Sequence, residues 1–252
     1  MFVALMVFDT RPVVPEPETQ KDKPAYLPQI LLMIPTLNEE EAIEALVSEA
    51  RSVGFINILV VDGFSTDKTR DIATQAGARV LLQDFGKGKG CGVRTGMREF
   101  LSGDSDLLCI IDGDGTNVPV FLTQMIEQVK SGQGDVVLGS RTRGPRERNA
   151  MDGLSLASNL TVSFLLGAKF GRLFTDIQTG YWVFTRDAVE RVYPSIRSTG
   201  FEIELELFVK ILKEGLKARE VPVGFRRRKG FTKFSFMQRI RNLYYVFRLL
   251  AS

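Results

Sequence analysis

Histidine is absent from this chain of 252 residues, and cysteine occurs only twice, at Cys91 and Cys109. The absence of histidine excludes catalytic triads built on that residue and zinc sites with histidine ligands. The two cysteines show no metal-binding spacing, and so few thiols predict a reducing, cytosolic setting. No run of about eighteen apolar residues occurs, so the sequence predicts no helix that spans a membrane.

The composition predicts one folded domain with short segments on either side. Hydrophobic residues make up 44% of the chain and charged residues 25%, which is enough to form the core of a single α/β unit. The apolar start of the chain lacks a basic segment and runs into a proline- and charge-rich stretch, so residues 1–24 are predicted to be a mobile tail. Residues 25–230 are predicted to form the domain, and residues 231–252 a basic amphipathic segment.

Runs of mostly apolar residues that end in polar residues recur along the chain. They cover residues 30–34, 56–61, 107–111 and 136–138. Runs of this length with β-branched members are typical of buried strands. Strands, polar tips and helices in succession predict an α/β fold, Rossmann-like, with a mostly parallel central sheet and helices on both faces. In such a fold the ligand cleft lies outside the carboxyl ends of the strands.

The first two polar tips contain residues that can begin a helix. After the first run, Thr36 or Asn38 can accept hydrogen bonds from the first turn of the helix that follows. After the second run, Ser65 or Thr66 can do the same for a helix that extends through Ala76. The sequence therefore predicts that both tips end in side-chain helix caps.

The most informative polar tip is Asp112-Gly113-Asp114. Side chains at positions i and i+2 of an extended segment point the same way, so both carboxylates can face one cation. Carboxylate ligands of this kind suit Mg²⁺ or Mn²⁺ bound to a diphosphate. The alternative for this short motif is a solvated turn.

A glycine-rich loop covers residues 86–92 and contains Lys87 and Lys89. Alternating glycines let the backbone approach a ligand closely, and the helix that begins nearby is expected to direct N–H groups at an anion. The segment lacks the spacing of a P-loop. The alternative is a flexible turn with solvated lysines.

Alternation of residue types predicts that residues 175–184 form a strand with Asp176 and Gln178 on one polar face. Farther along, acids occur at every second position. The spacing of the apolar residues from Leu205 to Lys217 is helical, and Glu204 and Glu206 are expected at the edge of the core or in solvent.

The chain ends in a predicted amphipathic helix. Apolar residues recur at a spacing of three or four, at Ile240, Leu243, Phe247 and Leu250, with arginines around them. Such a helix can lie in a membrane interface, or it can pack on its own domain. A net charge of only +3, without a recognition module, argues against nucleic-acid binding.

Taken in order, the polar motifs resemble those of family 2 glycosyltransferases of the GT-A fold, and among them the polyprenyl-phosphate (dolichyl-phosphate) hexosyltransferases. The motifs are Pro35–Glu39, Asp62–Asp67, Gly86–Gly92, Asp112–Gly115, Gly139–Arg141 and Asp176–Tyr181. The resemblance extends over residues 30–235. It implies a metal-dependent enzyme that moves a hexose from a nucleotide sugar, a UDP- or GDP-hexose, to polyprenyl phosphate with inversion at the sugar.

The resemblance also implies roles for individual residues. Nucleotide-sugar binding is carried over to Pro35, Thr36, Asn38, Glu39, Asp62, Lys89, Asp112 and Asp114. Asp112 and Asp114 are the expected ligands of Mg²⁺ or Mn²⁺, and the expected catalytic residues are Asp112, Asp114, Asp176 and Gln178. The acceptor phosphate is expected to contact Arg141, Arg228 and Lys233, and Glu202 is expected to face the cleft, as its counterpart does in the family. The enzyme is expected to act peripherally, at the cytoplasmic face of the membrane.

One position departs from the pattern of dolichyl-phosphate mannose synthases. Thr116 occupies the place where that group usually has glutamine, which leaves the donor sugar and its nucleotide open. Two alternatives keep the same fold. The acceptor can be a small soluble phosphate such as phosphoglycerate, or the chain can be a non-catalytic nucleotide-sugar binding module.

Overall fold

A computed structural model of the protein describes residues 29–229 and 236–251. The predicted mobile tail and Lys233 lie outside these ranges. Within them, seven strands form one sheet in the order β3-β2-β1-β4-β6-β5-β7. The strands are β1 (Ile30–Thr36), β2 (Asn57–Asp62), β3 (Arg79–Leu82), β4 (Leu107–Ile110), β5 (Val136–Ser140), β6 (Trp182–Thr185) and β7 (Ala218–Pro222).

Eight α-helices connect or follow these strands in the described ranges. They are α1 (Ile43–Val53), α2 (Thr69–Gln75), α3 (Lys89–Ser102), α4 (Phe121–Lys130), α5 (Gly153–Lys169), α6 (Arg186–Val192), α7 (Ile203–Lys213) and α8 (Phe236–Ala251). A short 3-10 helix follows α6. None of these helices has both the length and the apolar character that crossing a bilayer requires.

The core consists of two layers, one on each face of the sheet. Alternate residues of β1 separate to opposite faces, with Leu31 and Met33 on one side and Leu32 and Ile34 on the other, because successive side chains of a strand point in opposite directions. Helices α3, α5, α6, α7 and α8 cover the first face. Helices α1, α2 and α4 cover the second. The predicted α/β fold with helices on both faces is therefore confirmed.

Strand β6 runs antiparallel to both of its neighbours, β4 and β5. The other strand pairs are parallel, so β1, β2, β4 and β5 all end at one edge of the sheet. Because β6 runs the other way, the segment that precedes it, Asp176–Tyr181, enters at that same edge. One edge therefore collects every polar motif that follows or precedes a central strand.

Three local predictions from the sequence are wrong. Asp176 and Gln178 lie in a loop, because β6 begins only at Trp182. Helix α1 begins after Ala42 without a side-chain cap. Helix α2 begins at Thr69, and the carboxylate that accepts from its N–H is that of Asp67 (3.0 Å). The capping candidates Thr36 and Asn38 instead bond to the Ile34 carbonyl and to the loop after β2.

Candidate active site

Two cavities meet at the carboxyl edge of the sheet. The β1 cavity, of about 310 Å³, is lined by Pro35, Thr36 and Glu39 from the segment at the end of β1. The α5 cavity, of about 340 Å³, is lined by Arg141 and by residues of α5 and α8. Both are lined by the same five residues, which we call the shared wall: Lys89, Asp112, Asp114, Phe201 and Arg228.

Each carboxylate of the shared wall contacts one cation. Lys89 Nζ lies 2.6 Å from Asp112 Oδ1, and Arg228 Nη1 donates to Asp114 Oδ2 at 2.9 Å. Arg228 also pairs with the carboxylate of Glu39. These ion pairs fix the orientation of both aspartates, because each is only partly exposed and has a charged partner.

Lys89 also contacts a buried acid, Glu204. Glu204 Oε1 lies 2.5 Å from Lys89 Nζ, so Lys89 bridges Glu204 and Asp112. Burial alone would lower the pKa of Lys89, but the two carboxylates raise it above the usual lysine range. Burial raises the pKa of Glu204, while Lys89 opposes that rise. The lysine is therefore charged and immobile at neutral pH.

Asp114 is oriented by a residue of its own loop. Thr116 donates to Asp114 Oδ1 through its hydroxyl at 2.6 Å and through its backbone N–H at 3.0 Å. Threonine at this position, where related synthases are expected to have glutamine, therefore serves to orient the carboxylate.

Gly180 leaves the space that the Asp112 carboxylate occupies. A β-carbon at Gly180 would lie 2.1 Å from Asp112 Oδ2, well inside the van der Waals contact distance. This close approach joins the loop before β6 to the first aspartate. The resemblance includes Gly180 in a motif, but the sequence alone did not reveal this contact.

Arg141, at the end of β5, is anchored by Asp176. The buried Asp176 carboxylate accepts from Arg141 Nε at 2.7 Å and Nη2 at 2.8 Å, which is the bidentate geometry of a strong pair. Asn159 Nδ2 donates to the same carboxylate at 2.6 Å, and the Gln178 carbonyl accepts from Arg141 Nη2 at 2.7 Å. Burial opposes the charge of Arg141, yet Asp176 raises its pKa above the usual arginine range. Arg141 and Gln178 line the α5 cavity.

Asn38 and Asp62 connect the loops at the ends of β1 and β2. Asn38 Oδ1 accepts from the backbone of Thr66 at 2.7 Å, and Asn38 N–H donates to Ser65 Oγ at 2.8 Å. Asp62 is fully buried, and its Oδ2 accepts from Ser65 N–H at 2.9 Å. Its Oδ1 has no hydrogen-bond partner in the described part of the chain. Both residues support the rim of the β1 cavity.

The glycine-rich loop contacts protein rather than presenting free N–H groups. Gly90 N–H donates to the Gly200 carbonyl at 3.1 Å, and Cys91 N–H lies 3.3 Å from the Thr199 carbonyl. A β-carbon at Gly88 or Gly90 would collide with this backbone. The expectation that these N–H groups face an anion is therefore wrong for Gly90 and Cys91, because the segment before α7 accepts them.

The phase of α7 decides which acid reaches the cleft. The expectation for Glu202 and Glu204 is wrong, since Glu204 contacts Lys89 whereas Glu202 Oε1 accepts from the backbone of Gly200 at 3.1 Å. The resemblance implies that Glu202 faces the cleft, but α7 begins at Ile203, and its helical turn directs Glu204 toward Lys89. Sequence reasoning also missed Asn159, which only the fold brings to Asp176.

The donor set of the shared wall fits a divalent cation shared with a ligand. Asp112 and Asp114 supply carboxylate oxygens, which Mg²⁺ and Mn²⁺ prefer. Within residues 29–229 and 236–251, no group of three or more acids, cysteines or histidines forms a complete metal site. A cation on this pair would keep open positions for phosphate oxygens.

Sequence comparison places these features in a family. Residues 32–193 match the family model described as glycosyl transferase family 2. Glycosyltransferase AglJ of Haloferax volcanii is 36% identical over 196 residues, which is 78% of this chain but only 62% of AglJ. UDP-N-acetylglucosamine–dolichyl-phosphate N-acetylglucosaminyltransferase of Methanococcus voltae is 26% identical over 77% of this chain and 84% of its own length.

Structure comparison agrees with the sequence. Glucosyl-3-phosphoglycerate synthase from Mycobacterium tuberculosis, solved with Mn²⁺ and UDP-glucose, superposes with a TM-score of 0.70 at 20% identity, covering 88% of this chain and 78% of that chain. This likeness confirms the predicted GT-A fold. Because the family model covers more than half of the chain, we conclude that the protein belongs to glycosyl transferase family 2.

Proposed function

We propose that this protein transfers a hexose from a nucleotide sugar to the phosphate of a polyprenyl (dolichyl) phosphate. The observation that carries the proposal is the shared wall, where two cavities meet at an acidic pair flanked by Lys89 and Arg228. A group transfer between two ligands needs such a junction, because donor and acceptor must approach within bonding distance. The Methanococcus voltae relative is named for a transfer of this class.

The β1 cavity is assigned to the nucleotide of the donor. Pro35, Thr36 and Glu39 line it, and these are the residues that the family resemblance assigns to nucleotide-sugar binding. Asn38 and Asp62 are assigned to the same function through the loops that they fix. The diphosphate of the donor would then lie against the shared wall.

Asp112 and Asp114 are assigned to a divalent cation, Mg²⁺ or Mn²⁺. When bound there, the cation neutralises the charge that develops on the departing nucleoside diphosphate. Lys89 and Arg228 lie on the same wall and supply two fixed positive charges for the same diphosphate. These charges cost little reorganisation during the reaction, since both side chains are already anchored to carboxylates.

The α5 cavity is assigned to the acceptor phosphate, with Arg141 as its principal contact. Asp176 acts through Arg141 as a positioning residue, because its carboxylate is buried and hydrogen-bonded to that arginine and to Asn159. Gln178 contributes its carbonyl to the same arginine and lines the cavity. Lys233, assigned with Arg228 to the acceptor by resemblance, lies outside the described residues.

The proposed transfer needs no strong general base. A phosphomonoester has a second pKa of about 6, so the acceptor oxygen is already anionic near pH 7. That oxygen forms a bond to the anomeric carbon while the bond from this carbon to the nucleoside diphosphate breaks, and the configuration inverts. No proton has to move, which agrees with a chain that contains no histidine.

The acceptor is the part of this proposal that has a specific competitor. The Mycobacterium tuberculosis structures of the same fold are named for phosphoglycerate, a soluble phosphate that the same arginine can bind. Lipid acceptor is favoured here because exposed apolar side chains of α5, among them Leu160 and Phe164, lie on the helix that lines the acceptor cavity. We further propose peripheral attachment at the cytoplasmic face of the membrane.

A transfer assay with a panel of donors tests the proposal. The protein would be incubated with radiolabelled UDP- and GDP-hexoses, with Mg²⁺ or Mn²⁺, and with either a short polyprenyl phosphate or phosphoglycerate. We expect one of the donors to transfer its label into the organic phase, and we expect this transfer only in samples that contain polyprenyl phosphate. Label in phosphoglycerate alone would favour the soluble acceptor, and donor binding without transfer to either acceptor would favour a binding module.

A further inference from the structure

Helix α8 packs on the domain through one face and exposes an apolar stripe on another. Asn242 and Val246 are buried, with exposed fractions of 5% and 0%. Ile240, Leu243 and Phe247 are exposed by 46%, 49% and 60%. These three residues follow the spacing of one helix face, so the stripe is a continuous apolar surface that the described part of the domain leaves in solvent.

A basic groove of about 630 Å³ runs between α7 and α8, beside this stripe. Its cations are Arg197, Lys210, Lys213, Arg241 and Arg248. None of the residues that line the groove lines the β1 or the α5 cavity. The groove is therefore separate from the proposed active site.

The two acids of the groove are bonded to the protein itself. Glu206 accepts from the backbone of Arg197 at 3.0 Å and of Ser198 at 2.7 Å. Glu202 accepts from a backbone N–H and lies 4.0 Å from one guanidinium nitrogen of Arg241. The five cations still outnumber the two acids, so with all groups ionised the lining of the groove carries a net charge of five minus two, or +3.

Three of the groove cations lack a partner in the described ranges. Lys210, Lys213 and Arg248 form no ion pair or side-chain hydrogen bond with residues 29–229 or 236–251. Unpaired cations that surround a concave surface attract an anion, and phosphate is the anion that several lysines and arginines bind together. The groove thus has the chemistry of a phosphate site.

We propose that the basic groove binds the phosphate of an anionic lipid headgroup while the apolar stripe of α8 enters the membrane interface. A cationic groove adjoining exposed leucine, isoleucine and phenylalanine side chains matches an anionic bilayer, in which phosphates lie directly above hydrocarbon. Tyr244, exposed between the groove and the stripe, is of a residue type enriched at that level. The inference rests on the proposed lipid acceptor, because it docks the enzyme on the surface that contains the acceptor.

The orientation of α8 is fixed from its far end. Lys169 Nζ, at the end of α5, donates to the carbonyls of Leu249 and Leu250 at 2.7 and 3.1 Å. Helix α5 itself exposes Leu160 and Phe164. The two helices that carry exposed apolar side chains are thus joined to each other, and both line the α5 cavity. Docking of α8 would therefore bring the acceptor cavity toward the bilayer.

Vesicle co-sedimentation with matched charge variants tests the groove. The test variant is Lys210→Ala/Lys213→Ala/Arg248→Ala, and the control is Lys68→Ala/Lys130→Ala/Lys217→Ala, which removes three exposed cations elsewhere. With vesicles of phosphatidylcholine and phosphatidylglycerol, we expect the test variant to bind on the order of a hundredfold more weakly than the unmutated chain. The control variant should bind within about threefold of the unmutated chain, because its cations lie off the docking surface.

Two results would overturn the proposal. Equal losses in test and control variants would show that overall charge, not the groove, governs binding. If the unmutated chain binds pure phosphatidylcholine vesicles as tightly as vesicles that also contain phosphatidylglycerol, no anionic headgroup is recognised. The stripe is tested separately by Leu243→Ser against Ile56→Ser, a second exposed apolar residue, and only the former should weaken vesicle binding.

Two further measurements separate this inference from its competitors. Calorimetry with glycerol 1-phosphate tests for a soluble ligand, and micromolar binding that the test variant abolishes would overturn the membrane role. Transfer to a short, water-soluble polyprenyl phosphate in detergent should be unchanged in the test variant, since no groove cation lines the two cavities. Failure of transfer in the unmutated chain would instead contradict the proposed function and leave the vesicle result intact.

Discussion

Among single residues, Asp112 shows how the chain positions a charge before any ligand arrives. Lys89 contacts one of its oxygens, and Gly180 leaves room for the carboxylate. Lys89 is in turn anchored by Glu204. An anchored charge of this kind stabilises a transition state more than a mobile one, because no reorganisation is needed during the reaction.

Removing either aspartate should abolish most transfer and leave the fold intact. We expect Asp112→Ala or Asp114→Ala to reduce kcat/KM on the order of a hundredfold or more, since each removes a preorganised electrostatic contact. Initial rates of transfer measure the loss, and thermal unfolding checks the fold. Asp104→Ala is the control, because Asp104 is an exposed aspartate at the opposite edge of the sheet. Full turnover of the unmutated protein in excess EDTA would contradict the metal assignment.

Gly180→Ala should impair catalysis without touching a ligand directly. The new methyl group would displace the Asp112 carboxylate, and a displacement of about 1 Å at a reacting site costs up to about a hundredfold in rate. Gly153→Ala is the matched control, because a β-carbon there meets nothing within 4 Å. The measurement is kcat for both variants, together with their urea midpoints. An unchanged kcat in Gly180→Ala would show that the position of this carboxylate is not critical.

Among elements, the packing of α3 on β1 depends on one glycine. A β-carbon at Gly96 would lie 1.7 Å from the sulfur of Met33, a fully buried side chain of the central strand. Alanine normally stabilises a helix relative to glycine. Here the close approach of helix and sheet reverses that preference, because the buried methionine has no free space to enter.

Gly96→Ala should therefore destabilise the protein by about 1–3 kcal/mol, the usual cost of overpacking a core. Urea unfolding of the variant and of the unmutated chain measures the difference. Adding Met33→Val, which shortens the opposing side chain, should recover part of the loss. A stability equal to or above that of the unmutated chain would mean that α3 moves away from the sheet without cost.

The start of α2 should confer a pH-dependent stability. Burial opposes ionisation of Asp67, but hydrogen bonds from Thr69 prevail and lower the pKa of Asp67 below its usual value. An acid whose pKa is lower in the folded state contributes stability above its unfolded pKa, and that contribution is lost as the pH falls through the folded pKa. We expect Asp67→Asn to be less stable than the unmutated chain at pH 7, with the difference shrinking toward pH 3 in urea titrations. A constant difference would exclude the ionised form as the cause.

For the whole molecule, the sequence predicts the sheet better than the loops. Apolar runs such as Leu107–Ile111 indicate buried strands, because a strand that is buried on both faces has apolar residues at consecutive positions. Family resemblance then identifies the polar tips. Contacts between distant segments, such as Gly90 with Gly200, carry no local signal, so the environment of the glycine-rich loop could not be predicted.

The same limit explains the errors near the site. Asp176 follows an alternating pattern that is typical of a strand, yet its carboxylate is directed by Arg141 and Asn159, which the fold brings from elsewhere. The role of Glu204 depends on the residue at which α7 begins, and helix ends are set by local competition that the pattern does not resolve. Periodicity therefore predicts where the helices and strands lie, whereas the contacts of Asp176 and Glu204 become clear only from the tertiary structure.

The shared wall also implies an order in which the two substrates bind. Its two cations, Lys89 and Arg228, face four carboxylates, those of Asp112, Glu204, Asp114 and Glu39. With all groups ionised the cluster carries a net charge of two minus four, or −2, which repels an acceptor phosphate that arrives alone. A donor that arrives with a divalent cation reduces this repulsion, so the donor should bind first and the nucleoside diphosphate should leave last.

Product inhibition measures this order. In an ordered mechanism the nucleoside diphosphate competes with the donor but not with the acceptor, since it occupies the free enzyme in place of the donor. Competitive inhibition against both substrates would instead indicate random binding. Random binding would mean that the charge of the shared wall does not control which substrate binds first. Ordered kinetics would mean that the acceptor phosphate binds only after the donor and its cation have reduced that charge.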